Sequence, residues 1–204
     1  MAGSSGASAA PLPFRGQARY AVLGLLSFGD ELTGYAIQQR TEYAFRYFFG
    51  NIALSQVYRE LSQLEDLGWV SFREVGTDDR AARAYRLTDE GRDQLRAWAN
   101  SARFDPPTLR FPVALRVWLG HLSETRDTRD ALTRQQRYVE DMLDTIDIVD
   151  QGTRSDARWL YPGLVNRWSR RIWEATLEAT AELITELDAL EGAGSGEAAK
   201  KLSG

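Results

Sequence analysis

The sequence predicts a mainly α-helical protein with one small β-hairpin. Apolar residues recur at helical spacing over most of the 204 residues, a short central stretch alternates instead, and glycine or proline separates the segments. Hydrophobic residues make up 43% of the chain and charged residues 26%, so there is enough apolar material for one or two cores.

Periodic apolar residues predict three helices in the first third of the chain. Residues 20–26 form a short, nearly all-apolar helix that Gly29 ends. Thr33 is suited to cap the start of a second helix, because its hydroxyl can accept from free amides of the next turn. A third helix is predicted over residues 52–67, with Gly68 in the place of a left-handed C-cap residue.

The pattern then alternates, as it does in strands. Residues 70–75 and 84–88 predict two strands, and the polar stretch 76–83 lies between them. Thr88 opens a further helix. Three helices, a hairpin and a further helix, in this order, are the elements of a winged helix-turn-helix.

The second half predicts an antiparallel helical hairpin. Residues 105–107, Asp-Pro-Pro, mark a domain boundary, and a helix around residues 113–119 follows. Two long helices come next, roughly 124–150 and from about 158 or 164 to 190, with narrow apolar stripes. On the first the stripe is Leu132, Val139 and Ile146; on the second it is Ala179, Leu183, Leu187 and Leu190. Narrow stripes favour a two-helix seam whose core a partner chain completes.

We therefore expect four segments. Residues 1–16 are a flexible arm, 17–104 a winged helix-turn-helix domain, 105–191 an α-helical domain that dimerises, and 192–204 a flexible tail. The two ends are rich in Gly, Ser and Ala and poor in large apolar residues.

Composition excludes several kinds of site. The chain has no cysteine, so disulfides and thiolate sites are excluded, and one histidine, His121, cannot form a multi-histidine metal cluster. We expect no cofactor, no metal and no enzyme, because no nucleophile with a paired base and no Gly-rich phosphate loop is present. No apolar run reaches the ~18 residues that span a bilayer, and residues 1–14 lack the pattern of a secretory signal, so the expected location is the cytoplasm.

The amino-terminal end of the third helix and the hairpin carry the candidate DNA contacts, since a winged helix places these parts on the duplex. The predicted contacts are Thr33, Tyr35, Ser55, Gln56, Tyr58, Arg59, Gln63, Arg80 and Arg83. Gln can pair with adenine, Arg with guanine, and hairpin arginines with phosphates or the minor groove. The alternatives are a merely solvated helix face and, for Arg80, an ion pair within its own loop.

The charge balance restricts how such a protein can bind DNA. The formal net charge is −4, and residues 1–100 carry 11 arginines and 12 acidic residues. Non-specific coating of DNA requires a basic protein. We therefore expect local patches from two subunits docked in register on double-stranded DNA.

Five segments in order resemble the PadR family of transcriptional regulators. They are residues 20–26, 33–37, 55–61, 64–68 and 83–91. Arg59 stands where the family often has proline, and Ala84 where it often has a second aromatic residue. The stretch from about residue 109 to 190 resembles the helical C-terminal domain of the longer members.

The resemblance implies a homodimer that represses, or sometimes activates, a promoter, and a small aromatic or hydrophobic effector that weakens DNA binding. The candidate effector contacts are Arg116, Trp118, His121, Tyr138, Trp159, Tyr161 and Trp168. Aromatic side chains also dominate protein interfaces, so a dimer core is the alternative role for the tryptophans.

Two functions from different classes follow. The main prediction is a sequence-specific repressor that binds a pseudo-palindromic operator as a homodimer and is released by a small effector. The alternative is a helical adaptor whose winged helix binds protein. An apolar docking face in place of Gln56 and Arg59 would favour the adaptor, and the sequence has none there.

Overall fold

The computed structural model describes residues 16–76, 82–101, 110–154 and 156–202, with side chains described up to residue 192. The elements are α1 (Gln17–Leu26), β1 (Leu32–Thr33), α2 (Gly34–Ala44), α3 (Leu54–Asp66), β2 (Val70–Val75), β3 (Ala82–Leu87), α4 (Asp89–Ala99), α5 (Pro112–Trp118), α6 (Thr125–Thr153) and α7 (Leu160–Leu202). A mostly helical chain with one small antiparallel sheet confirms the predicted fold class. Apart from Gly16, the predicted arm lies outside the described residues, and so does the predicted boundary at 105–107.

The chain divides into two compact units. The first contains Met1–Phe45 and Gly50–Thr108, and the second contains Arg46–Phe49 and Leu109–Gly204. The short segment Arg46–Phe49 therefore belongs to the helical second unit, although it lies between α2 and α3 in sequence. Within the part of the chain that the structure describes, no helix is long and apolar enough to cross a membrane.

The first unit is a winged helix-turn-helix built on the packing of α1, α2 and α3. Its largest fully buried side chains are aliphatic and come from all three helices: Val22, Leu23, Leu26, Ile37, Val57, Leu61 and Leu64. Thr33 caps α2 by accepting from the Ala36 amide at 3.2 Å, and Gly68 ends α3 with φ +73°, as the sequence predicts.

The sheet has the strand order β1-β3-β2, all antiparallel. Strands β2 and β3 form the predicted hairpin, with Phe72 opposite Tyr85. Strand β1 was not predicted, because its two residues are too short to show alternation. It forms since Leu32 and Thr33 pair with Tyr85 and Ala84.

A corner of hydrogen bonds joins the sheet to α4. The Thr88 amide donates to the Trp69 carbonyl at 3.0 Å, and the Thr88 hydroxyl donates to the Gly68 carbonyl at 2.8 Å. The same hydroxyl accepts from the Gly91 amide at 3.0 Å. A Cβ on Gly91 would lie 2.0 Å from the Trp69 carbonyl oxygen, so only glycine fits this approach.

The second unit is centred on the α6–α7 pair. Arg129 near the start of α6 binds Asp188 late in α7, and Arg170 of α7 binds Asp147 of α6, so the helices are antiparallel as predicted. The predicted stripe of α6 is buried: Leu132, Val139 and Ile146, together with Met142.

Helix α7 differs from the sequence prediction in two ways. The buried side chains include the small and polar Asn166, Ser169 and Thr180, whereas Leu190 in the predicted stripe is 71% exposed. The backbone is also helical as far as Leu202, across most of the stretch predicted as a flexible tail. The segment 197–202, Glu-Ala-Ala-Lys-Lys-Leu, consists of good helix formers, whereas helix propensity does not explain the three glycines at 192–196 before it.

Candidate nucleic-acid interface

The amino-terminal half of α3 presents polar side chains to solvent. Val57, Leu61 and Leu64 are completely buried and fix which face of α3 is turned inward. Ser55, Tyr58 and Arg59 are then exposed and Gln56 is half-buried, as expected for positions i, i+3 and i+4 of an outward face. Over the described ranges, the side chains of Ser55, Gln56 and Arg59 form no hydrogen bond or ion pair. Their donors and acceptors are thus available to a ligand.

The start of α2 lies directly beside this face. A Cβ added to Gly34 would come within 2.5 Å of the Tyr58 ring, so the ring covers the first turn of α2. Thr33 is half-buried and its hydroxyl caps α2. Tyr35 is 56% exposed, and its hydroxyl accepts from the Gln39 side chain at 3.2 Å. Both Thr33 and Tyr35 lie at the helix-turn-helix, but each already has a partner.

Gln63 has a partner that the sequence did not indicate. Its side-chain oxygen accepts from Nη2 of Arg19 on α1 at 2.6 Å. The same guanidinium lies beside the buried Glu60, with Nε 3.7 Å from Oε2. The side-chain oxygen of Gln63 is therefore engaged by a hydrogen bond. Ser55, Gln56 and Arg59, nearer the start of α3, have no side-chain partner among the described residues.

Arg83 of β3 is held by two neighbours. The Arg83 guanidinium lies 4.0 Å from the centre of the Phe72 ring, and Nη1 is 3.5 Å from Glu65 Oε2 on α3. Half of the Arg83 side chain remains exposed. Arg80 lies outside the described residues, so the alternatives for its role stay open.

The exposed face of α3 carries side-chain groups of the kind that recognise bases. Arg59 offers the forked donor set that pairs with guanine, and Gln56 offers the amide that pairs with adenine. Glu60 faces the interior and Glu65 is engaged by Arg83, so neither carboxylate lies free on the docking face. Ser55, Gln56 and Arg59 supply hydrogen-bonding groups at this end of α3, beside the exposed side chains of Leu54 and Tyr58.

The predicted effector residues are not gathered in one pocket in the described structure. Arg116 alone among them lines a cleft of ≈ 220 Å³ between α5 and α6, together with Val113, Ala131, Arg134 and Gln135. The others are spread over the second unit, and most are exposed: Trp118 76%, Tyr161 76%, Trp168 59% and Tyr138 42%, with His121 also exposed and Trp159 half-buried.

A buried polar cluster in the second unit was missed at the sequence level. Tyr47 is 5% exposed, its hydroxyl donates to Asn166 Oδ1 at 2.5 Å, and its carbonyl accepts from Trp173 Nε1 at 2.8 Å. Burial, followed by the nearby charge of Asp150, raises the pKa of Tyr47 to about 12. Tyr47 lies in a break between two helices, where no periodicity could indicate that it is buried.

Comparison with known proteins identifies a family. The model of the transcriptional regulator PadR-like family matches residues 22–97, all of which except Arg46–Phe49 belong to the first unit. The negative transcriptional regulator PadR of Bacillus subtilis (strain 168) is 32% identical over 129 residues, covering 61% of this chain and 70% of that protein.

Two solved structures share the fold over both units. One is Bacillus subtilis PadR in complex with operator DNA, with a TM-score of 0.70, 22% identity, and coverage of 84% of this chain and 99% of that chain. The other is Bacillus subtilis PadR in complex with p-coumaric acid, with a TM-score of 0.62, 23% identity, and coverage of 83% and 94%. The family is one of transcriptional regulators rather than enzymes. Sequence identity with a relative over most of its length, together with the winged helix-turn-helix, shows that this chain belongs to the PadR-like family of DNA-binding transcriptional regulators.

Proposed function

We propose that the protein represses transcription by binding a pseudo-palindromic operator in double-stranded DNA as a homodimer. The observation that carries this proposal is the unpaired, outward set Ser55, Gln56 and Arg59 at the amino-terminal end of α3. Side chains that are buried or already hydrogen-bonded could not read a base without first losing their partners. Ser55, Gln56 and Arg59 have no such partner to lose.

In this proposal, α3 enters the major groove of each half-site. Arg59 and Gln56 read bases, while Ser55, Tyr58, Thr33 and Tyr35 contact phosphates or sugars at the start of α2 and α3. Arg83, and Arg80 in the loop of the hairpin, bind phosphates or the adjacent minor groove. Residues 17–104 thus act as the DNA-binding domain.

The helical residues 105–191 act as the dimerisation and effector domain. Exposed apolar side chains recur along one face of α7 at spacings of three and four: Tyr161, Leu164, Trp168 and Ile172. A large apolar face exposed in a single chain is typical of a protein interface. In this proposal a second copy covers that face, and the two half-sites that the dimer binds lie about one turn of DNA apart, ~34 Å.

The proposals of repression and of release by an effector are based on what the relatives are named and bind. The 32% identical protein from Bacillus subtilis is named a negative transcriptional regulator, and one structural neighbour contains p-coumaric acid. We infer a small aromatic or hydrophobic effector that lowers DNA affinity. Arg116 and Arg134, which line the cleft beside α5, would bind the acidic group of such a molecule, and the aliphatic Val113 and Ala131 in the same cleft would contact its ring. A regulator of this kind acts on the chromosome, so we place it in the cytoplasm.

The first test measures binding of the purified protein to its own upstream DNA by fluorescence anisotropy, at two salt concentrations, with scrambled DNA as the control. Tight, salt-sensitive and sequence-selective binding is expected. Equal weak binding to both DNAs would contradict the proposal and would favour the adaptor function.

The second test separates base reading from general affinity. Arg59→Ala is expected to relax the base preference at one position of each half-site, measured over a panel of single-base operator variants. Arg92→Ala, on the exposed face of α4, is the matched control and should leave every preference unchanged. Unchanged relative affinities in Arg59→Ala would remove Arg59 from the base contacts.

A further inference from the structure

Helix α3 carries a buried carboxylate on its inward face. Glu60 is 4% exposed and lies among the completely buried Val57, Leu61 and Leu64. A buried charge is strongly unfavourable without a compensating partner. Its presence on the helix that we propose to read DNA requires an explanation beyond packing.

The partner is one guanidinium on α1 that contacts α3 at two points. Arg19 lies 3.7 Å from Glu60 through Nε and donates to Gln63 through Nη2 at 2.6 Å. The carbon at the centre of the guanidinium also lies 5.9 Å from the centre of the Trp69 ring, just after α3. Neither Arg19 Nε nor Glu60 Oε2 has any hydrogen-bond partner, so the contact between them is a charge pair.

We infer that Arg19 is a specificity-determining positioning residue, which sets the rotation of α3 about its axis and withholds Gln63 from the bases. This inference rests on the proposed DNA recognition by α3. Glu60 and Gln63 are three residues apart on α3, so a guanidinium bound to both restrains the rotation of the helix as well as its distance from α1.

Gln63 would otherwise be able to read DNA. It is exposed, and it lies four residues after Arg59, one helical turn along the same side of α3. A glutamine amide pairs bidentately with adenine. Because its oxygen accepts from Arg19 at 2.6 Å, the amide is held in one orientation in the free protein, and turning it to pair bidentately with adenine requires that bond to be broken.

The decisive variant is Arg19→Met combined with Glu60→Gln. The double substitution removes both charges together, so no unpaired charge remains buried. We expect relative affinities over the panel of single-base operator variants to change by about fivefold or more at one position per half-site, the lower end of the discrimination that one bidentate base pair gives. Adding Gln63→Ala to the double variant should abolish that new preference. Arg92→Met serves as the control for loss of an arginine in the same unit.

Unchanged relative affinities in the double variant, with only a lower unfolding temperature, would overturn the inference, because a purely structural pair affects stability alone. A second variant avoids the buried pair altogether. Gln63→Ala in the native background should leave every base preference within about twofold, since Gln63 does not read DNA there. Loss of a base preference in Gln63→Ala would overturn the inference, because Gln63 would then read DNA in the native protein. Wild-type binding to operator and scrambled DNA, measured beside these variants, tests the proposed function itself and reports its failure separately.

Discussion

Tyr47→Phe is the sharpest test of the buried polar cluster in the helical unit. The substitution removes one hydroxyl and retains the ring, which packs with Met142 and Ile146. The hydroxyl donates to Asn166 Oδ1, and Asn166 is 2% exposed, so the substitution leaves a buried acceptor without its donor. We expect a loss of about 1–3 kcal/mol in the free energy of unfolding at neutral pH.

The effect should depend on alkaline pH. The pKa of Tyr47 is raised to about 12 in the folded chain, against an ordinary value near 10, so the folded state retains the phenol proton that the unfolded state loses. The stabilisation by the neutral phenol is complete below pH 10 and falls by roughly 1.4 kcal/mol per pH unit between pH 10 and 12. Tyr47→Phe has no such group, so its deficit relative to the wild type should shrink across that window.

The assay is urea unfolding followed by far-UV circular dichroism, at one fixed protein concentration because the proposed dimerisation would make stability depend on concentration. Tyr43→Phe is the matched control, since Tyr43 on α2 is 67% exposed. Equal stabilities of the two variants at pH 8, or a Tyr47→Phe deficit that stays constant from pH 10 to 12, would refute the reasoning.

The remaining predictions concern the corner, the hairpin and the dimer. Gly91→Ala should lower the free energy of unfolding by about 1–3 kcal/mol because its Cβ would meet a backbone carbonyl, whereas Gly24→Ala, with open space around it, should raise it slightly; equal effects in urea unfolding would contradict this. Arg83→Ala should weaken binding to all DNA sequences alike and reduce the salt dependence by up to about one counterion, and an unaltered salt slope would remove β3 from the phosphate contacts. Trp168→Glu should convert the proposed dimer to a monomer in light scattering, and a dimer of unchanged size would exclude that face of α7 from the interface.

The fold was predictable wherever the apolar pattern is local. Helix α3 and the stripe on α6 follow from residues three, four or seven apart, and their buried side chains confirm the pattern. Strand β1 depends on pairing with β3, some fifty residues later, and therefore leaves no local signal. The buried face of α7 was missed for a different reason, since its small and polar residues do not form an apolar stripe.

The candidate interface was predictable in its chemistry but not in its pairings. The amphipathic pattern of α3 indicates which residues face outward, and Ser55 and Arg59 do so. The partners of Gln63 and Tyr47 lie 44 and 119 residues away in sequence, and only the tertiary fold brings them together. Spacing alone could not distinguish the unpaired Arg59 from Gln63, which Arg19 holds.

Glu65 is paired with Arg83 in the free protein, so it opposes DNA binding through competition for that guanidinium. DNA that binds Arg83 must displace the Glu65 carboxylate, at 3.5 Å and partly exposed. An exposed pair of this kind contributes at most about 1 kcal/mol, so a phosphate can displace it. Glu65→Gln should therefore strengthen binding to every DNA sequence by up to about fivefold, and the gain should vanish when Arg83 is also replaced by alanine. Equal gains with and without Arg83 would mean that Glu65 repels DNA directly.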